Sequence, residues 1–239
     1  MFDKTSRFFL SEDESRRDFF FSLHPTWWSR FYEYPWAASF SQKSDIALDA
    51  ASGICHPFKF FLAENSRETH AVDSDPRILS EAAIRQEVAA VFGESGLERL
   101  KSEHFKNVNY RRANLENLPY PDQKFDKIYC ISVLEHLNDW FNKYPFFNRY
   151  RHFLKRIIPH GLEASLAEFK RVLKDDGLII LTFDYPTINL EYLRSLLAEL
   201  GLHFADTVDF DLPENRLISP DNRLSCFRAV LTKKYDTQL

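Results

Sequence analysis

From residue 45 onward, short apolar runs alternate with stretches of helical period. Asp45–Ala50, Glu68–Asp73, Asn107–Arg112, Phe125–Ile131 and Gly177–Phe183 read as strands. The last is almost wholly aliphatic, as a strand buried on both faces of a parallel sheet should be. Helical stretches fall between them. One covers Phe58–Asn65, and a second opens with Pro76 in its first turn and runs to about Ala90. A further helical pattern near Val91–Glu103 is broken by Gly93 and Gly96, and Leu134–Leu173 is interrupted near Pro145 and at Pro159-His160-Gly161. Glu191–Leu200 ends at Gly201, a residue suited to a left-handed C-terminal cap. His203–Phe210 and Cys226–Thr232 read as the final strands. The link Asp211–Arg223 is rich in Pro, Asn and Asp, as a loop should be. This alternation predicts an α/β fold: a doubly wound, seven-stranded sheet, mostly parallel, with a C-terminal antiparallel hairpin.

Residues 1–44 lack the alternation. Trp27–Trp36 is the densest cluster of large rings in the chain, and Pro25 and Pro35 bracket a short helix. So many rings need a surface to pack on. The segment is expected to be an aromatic cap, either stapled over a sheet edge or acting as a lid with Arg30 or Tyr34 reaching a ligand. The main domain then spans 45–239, with a helical insertion at about 139–162. The insertion interleaves rings and basic residues over Asp139–Arg156. That pattern suits a packed helix pair, an anionic acceptor, a partner subunit or peripheral contact with a membrane surface.

Composition limits the function classes. The 239 residues are 44% hydrophobic, enough for one large α/β domain with additions. The formal charge of −4 and the pI near 6.1 argue against a general nucleic-acid binder. Three widely spaced cysteines, Cys55, Cys130 and Cys226, suit reduced, buried thiols. With no run long enough to span a bilayer and no apolar leader core, a cytoplasmic location is expected. His136, His152 and His160 are not at metal-ligand spacing, so no metal is expected.

Candidate chemistry gathers at the strand ends. Asp49 closes the first strand, Asp73 the second, and Asn114 follows the third. In a parallel sheet these C-terminal ends share one edge, where ligands bind. An acid after the second strand is placed to accept from both hydroxyls of a ribose. After Asp49 comes a tight turn, Ala50-Ala51-Ser52-Gly53, in which Gly53 and its small neighbours allow close approach to the main chain.

The stretch Ala113–Leu137 runs Asn114, Leu118-Pro119-Tyr120, a turn, Phe125-Asp126, an apolar strand, then Glu135-His136. It resembles the class I S-adenosylmethionine-dependent methyltransferases, in particular those acting on small molecules and lipids. Ala167–Ile180 is similar to the later helix, glycine turn and fifth strand of that group, so the likeness covers about residues 45–185. The family usually has Asp at the position of Asn114, and Gly at those of Ala51 and Cys55. The resemblance implies a Rossmann-like fold with S-adenosylmethionine as cofactor and S-adenosylhomocysteine as product. Asp49, Ala51, Ser52 and Gly53 would hold its methionine side, Asp73 and Ser74 the ribose, Asn114 and Leu115 the adenine, and Ser132 would line the methionine side. His136, just beyond the fourth strand, is the expected general base, with Glu135 as an orienting group. The Asn/Asp-Pro-Pro-aromatic motif of base and glutamine methyltransferases is absent after the fourth strand. The expected activity is methyl transfer to a small-molecule acceptor at oxygen, such as a sugar, lipid or secondary metabolite. The altered loop motivates a second reading, a non-catalytic cofactor-binding regulator or scaffold.

Overall fold

The computed structural model of the chain describes residues 2–139 and 161–234. Its centre is four parallel pairings. Strands β2 (Ile46–Ala50), β3 (Glu68–Asp73), β4 (Val108–Arg112), β5 (Phe125–Ile131) and β6 (Leu173–Tyr185) lie in the order β6-β5-β2-β3-β4. β8 (Ser225–Thr232) runs antiparallel along β6, and the short β7 (His203–Phe204) and β1 (Arg7–Phe8) both pair antiparallel with β8. The mostly parallel sheet with an antiparallel C-terminal strand agrees with the sequence reading.

The eighth strand, β1, comes from the N-terminal segment and was not expected from its pattern. It also explains why β7 is shorter than the predicted His203–Phe210. Ser6 donates to the Thr207 carbonyl at 2.9 Å and Asp209 to the Ser6 carbonyl at 2.8 Å, so the chain beyond Ala205 pairs with the N-terminal segment instead of β8.

Alternation along the strands divides the core. Leu48, Ile128, Cys130, Ile179 and Leu181 face one cluster, with Leu166 and Phe169 of α5 (Leu162–Val172) and Leu193 and Leu197 of α6 (Leu190–Leu200). Ala47, Tyr129, Ile131 and Ile180 face the other, with Tyr34 and Trp36 of α1 (Arg30–Ala38) and Phe58 and Leu62 of α2 (Phe58–Asn65). A third cluster joins Phe20 and Phe21 to Phe60, to Ile84 and Val88 of α3 (Glu81–Arg99), and to Phe105 of α4 (Ser102–Lys106). The cap therefore supplies part of a helix layer. The predicted helical insertion lies almost wholly outside the described residues; the chain before it ends in a 3-10 turn, Leu134–Asp139.

Two helix boundaries have local causes. Pro35 sits inside α1 rather than bounding it. Proline cannot donate to the carbonyl four residues back, and that carbonyl, of Phe31, accepts instead from the Arg16 N–H at 2.8 Å. Pro76 opens a 3-10 turn (Pro76–Leu79), and the Ser80 side chain then caps α3. No helix among the described residues is long and apolar enough to cross a membrane.

Candidate functional site

At the C-terminal edge of the sheet, β2 runs into the turn 51–57. Ala51 takes φ 56° and Gly53 φ 60°, left-handed values that glycine adopts freely and that cost Ala51 strain at its Cβ. Asp73, at the end of β3, fastens the turn: its Oδ2 accepts from Gly53 N–H and its Oδ1 from Asp75 N–H, both at 2.9 Å. A side chain at Gly53 would meet the His56 ring, with a Cβ only 2.4 Å from Cδ2. Gly53→Ala is therefore expected to destabilise the fold by about 1–3 kcal/mol, since backbone strain of that size falls on the turn itself. Urea unfolding of the variant checks this, and wild-type stability would count against it.

Beneath the turn lies Lys59 of α2, with no solvent exposure. Its ammonium donates to the carbonyls of Gly53 at 2.8 Å, His56 at 2.7 Å and Ser52 at 3.3 Å. Above the turn, Trp27 stacks on the His56 ring with centroids 4.3 Å apart, and the Tyr34 hydroxyl lies 2.7 Å from His56 Nδ1. Burial, with Arg30 and Lys59 nearby, pushes His56 down to about 3, so its imidazole is neutral.

A cavity opens over this turn, lined by Asp49, Ala51, Ser52, Gly53, Ser132, Arg30 and Tyr34 among others. Asp49 is buried and its Oδ2 has no hydrogen-bond partner. Burial pushes its carboxyl up to about 7 against the pull of Lys59, and Asp73 pushes the same way.

A second cavity shares Arg30, His56 and Ser132 with the first. It is also lined by Trp27, Trp28, Glu135, His136 and Asp184. Glu135 is 7% exposed, and neither carboxylate oxygen has a partner beyond the residue's own backbone N–H. Burial, helped by Asp184 and Glu33, pushes it up to about 8. Asp184 is pushed up to about 6 by burial and Glu33. His136 is exposed in the same wall.

The wall between the cavities is an ionic knot. Glu33 of α1 is fully buried and pairs with Arg30. It also accepts from the Ser132 hydroxyl at 2.6 Å and the Cys226 thiol at 3.3 Å. Burial raises its carboxyl, but Arg30 and the hydroxyls of Ser132 and Thr182 outweigh that and hold it below its ordinary value. Ser132, at φ 45°, is fixed by its N–H bond to the Thr182 carbonyl at 2.9 Å.

Eight expected residues thus meet around the two cavities: Asp49, Ala51, Ser52, Gly53, Ser132, Arg30, Tyr34 and Glu135, with His136 at the outer wall. Asp73 joins them through Gly53. Ser74 and Asn114 are exposed beyond the strand ends, and Leu115 is buried. The Asn114 side-chain oxygen accepts from Glu116 N–H at 3.2 Å, the geometry of a local turn. Sequence reasoning missed Lys59, Glu33 and Asp184. A lone lysine in Phe58-Lys59-Phe60-Phe61 and a lone acid between Tyr32 and Tyr34 were the available signals, as was Asp184 ending the fifth parallel strand.

Known proteins place this geometry. The model of a family described as a methyltransferase domain matches residues 48–181. No curated protein sequence matches. Among solved structures, the chain is similar to the [4+2]-cyclase SpnF, with TM-score 0.57 and 12% identity over 96% of this chain and 87% of that one. The YcgJ protein of Bacillus subtilis gives TM-score 0.54 and 15% identity over 85% and 99%. An S-adenosylmethionine-dependent methyltransferase of Aquifex aeolicus gives 0.51 and 14% over 87% and 92%. At such identities these structures speak for the fold. The family match spans more than half of the chain and runs from the Asp49 strand through the Glu135-His136 turn to β6, so the chain belongs to the class I S-adenosylmethionine-dependent methyltransferases.

Proposed function

We propose that the enzyme transfers its methyl group to an oxygen of a small-molecule acceptor held in the cavity beneath Trp27 and Trp28. The observation that carries this reading is Glu135, a buried carboxyl with two unpartnered oxygens in a cavity that shares a wall with the cofactor cavity.

The residues present fit S-adenosylmethionine. The orphaned Asp49 Oδ2 suits the methionyl ammonium, and the positive-φ turn 51–53 leaves the main chain open to close approach. Asp73 and Ser74 are assigned to the ribose, Asn114 and the Leu115 main chain to the adenine, and Ser132 to the methionine side near the junction of the cavities. When bound, the cofactor supplies a methyl group already activated on a positively charged sulfur.

The chain then has to align the acceptor and take one proton. An acceptor hydroxyl bonded to Glu135 satisfies an oxygen that burial has stripped of water. Were the methyl group to leave the sulfur for the acceptor oxygen, the acceptor O–H bond would break and its proton would pass to Glu135. A carboxyl pushed up to about 8 is a far stronger base than an ordinary one. Asp184 is placed to share the charge, and exposed His136 to pass the proton to water. Arg30 and Tyr34 hold the roof, the first through Glu33 and the second through His56. The acidic lining and the net charge of −4 support a small molecule over a nucleic acid.

The test offers hydroxylated sugars, phenols and primary amines with S-adenosylmethionine, and follows S-adenosylhomocysteine release and acceptor mass together. Transfer to hydroxyl compounds is expected. Methylation confined to amines would overturn the oxygen assignment.

A further inference from the structure

The turn over the cofactor cavity has few glycines, yet it is held firmly. Three carbonyls, those of Ser52, Gly53 and His56, converge on Lys59 Nζ, and that of Gly53 also accepts a long bond from the Ser52 hydroxyl at 3.5 Å. An ammonium has three N–H donors, so all three are used. Lys59 has no solvent exposure and does not line the cavity. The carbonyls therefore point down into the protein, away from the ligand side. Because its donors are spent, Lys59 makes no bond to Asp49 and leaves the carboxylate oxygen Oδ2 open.

We propose that Lys59 is the positioning residue of the cofactor site: it holds the turn open by bonding its carbonyls from beneath and, with its donors spent there, leaves Asp49 Oδ2 free to receive the methionyl ammonium. The lysine thus does by hydrogen bonding what glycines at Ala51 and Cys55 would do by conformational freedom.

The charge environment is defined on every side. Asp73 on β3 and Cys55 in the turn face the pair, and His56 is neutral. Tyr34 on α1, Tyr110 on β4, and Tyr129 and Cys130 on β5 sense Asp49, and burial raises each of them out of the neutral range. Burial pushes Asp49 up to about 7 against the pull of Lys59 and pushes Lys59 down to about 8 against the pull of Asp49, Cys55 and Asp73, so the pair titrates together near neutrality, and Asp49 is the member that loses its charge as pH falls.

The sign follows. Only ionised Asp49 attracts the ammonium, so affinity is present above its pKa and is lost as pH falls through it. Removing the Lys59 charge raises the Asp49 pKa further, and the loss then begins at higher pH.

Wild-type protein supplies the first test, free of any folding question. Affinity for S-adenosylhomocysteine is expected to fall about tenfold from about pH 8 to about pH 6. Affinity for 5′-methylthioadenosine, which has no amino acid portion, is expected to stay level. Equal pH dependence of the two ligands, or none for the first, would overturn the Asp49 part of the proposal. The second test is Lys59→Met, with folding checked by circular dichroism. About tenfold weaker binding and an acid limb moved up by about one pH unit are expected, with the limb restored in Lys59→Arg. Wild-type affinity with an unmoved limb would overturn it, as would weaker binding with an unmoved limb, the result for a purely structural lysine.

Discussion

Replacing Glu33 with alanine is expected to destabilise the protein by about 3–5 kcal/mol. The side chain is fully buried and carries four attachments: the Arg30 guanidinium, the Ser132 and Thr182 hydroxyls and the Cys226 thiol. Truncation strips the largely buried Arg30 charge of its ion-pair partner, leaving it only the more distant Asp184 and Glu135 among the described residues, and that weakly compensated charge, more than the lost attraction, sets the magnitude. Against a usual total of about 5–15 kcal/mol, the loss is large. Urea unfolding of wild type and variant measures it, and a cost below about 1 kcal/mol would show that water reaches Arg30. The double variant Arg30→Met, Glu33→Ala should recover part of the loss, because neither charge is then stranded. The pH dependence has a definite sign. The Glu33 carboxyl is held below its ordinary value in the fold, so its contribution is present above the unfolded pKa and disappears as pH falls through the folded one.

Glu135→Gln is expected to lower turnover by about a hundredfold or more, the usual scale for removal of a general base. Glutamine fills the same space but cannot take a proton. Wild-type turnover should rise with pH toward a midpoint near the Glu135 value of about 8, because the base works only when ionised. The variant should lose that limb and keep its affinity for S-adenosylhomocysteine. Its stability at alkaline pH should exceed that of wild type. Burial raises the Glu135 pKa, so the ionised carboxylate opposes folding as pH rises. Lower activity with higher stability is the pattern of a side chain kept for chemistry. His136→Ala is the comparison: an equal or larger loss there, with Glu135→Gln nearly unaffected, would move the base to the histidine.

The five parallel strands and Glu191–Leu200 with its Gly201 cap were legible because each depends on local pattern. Aliphatic runs, a helical stripe and a left-handed terminal glycine carry their own signals. The convergence of Asp49, Gly53 and Asp73 was legible too, since parallel strands put their ends on one edge. What the pattern hid was long-range. β1 has two residues, and only pairing with Arg228 and Phe227 makes it a strand. Pro35 reads as a helix boundary until Arg16 supplies the donor for Phe31. Lys59 stands alone among Phe58, Phe60 and Phe61, and nothing local shows that the turn will fold over it. Asn114 differs: it follows β4 as expected, but it lines neither cavity, and its side-chain oxygen accepts from Glu116 N–H.

The pairing of β1 with β8 also has a consequence in time. Synthesis runs from the N-terminus, and Arg7 and Phe8 find their partners only in Arg228 and Phe227. At about 5–20 residues per second, the first segment waits on the order of ten seconds for its seat in the sheet. Glu33 waits as long for Cys226. A ribosome-bound chain that already has β2 to β6 can seat Phe20, Phe21 and Trp27 on Phe60, His56 and Phe92, but Phe8 still lacks its place beside Phe227 and the edge of β6 is still bare. That interval is when the chain is most exposed to aggregation and most in need of a chaperone.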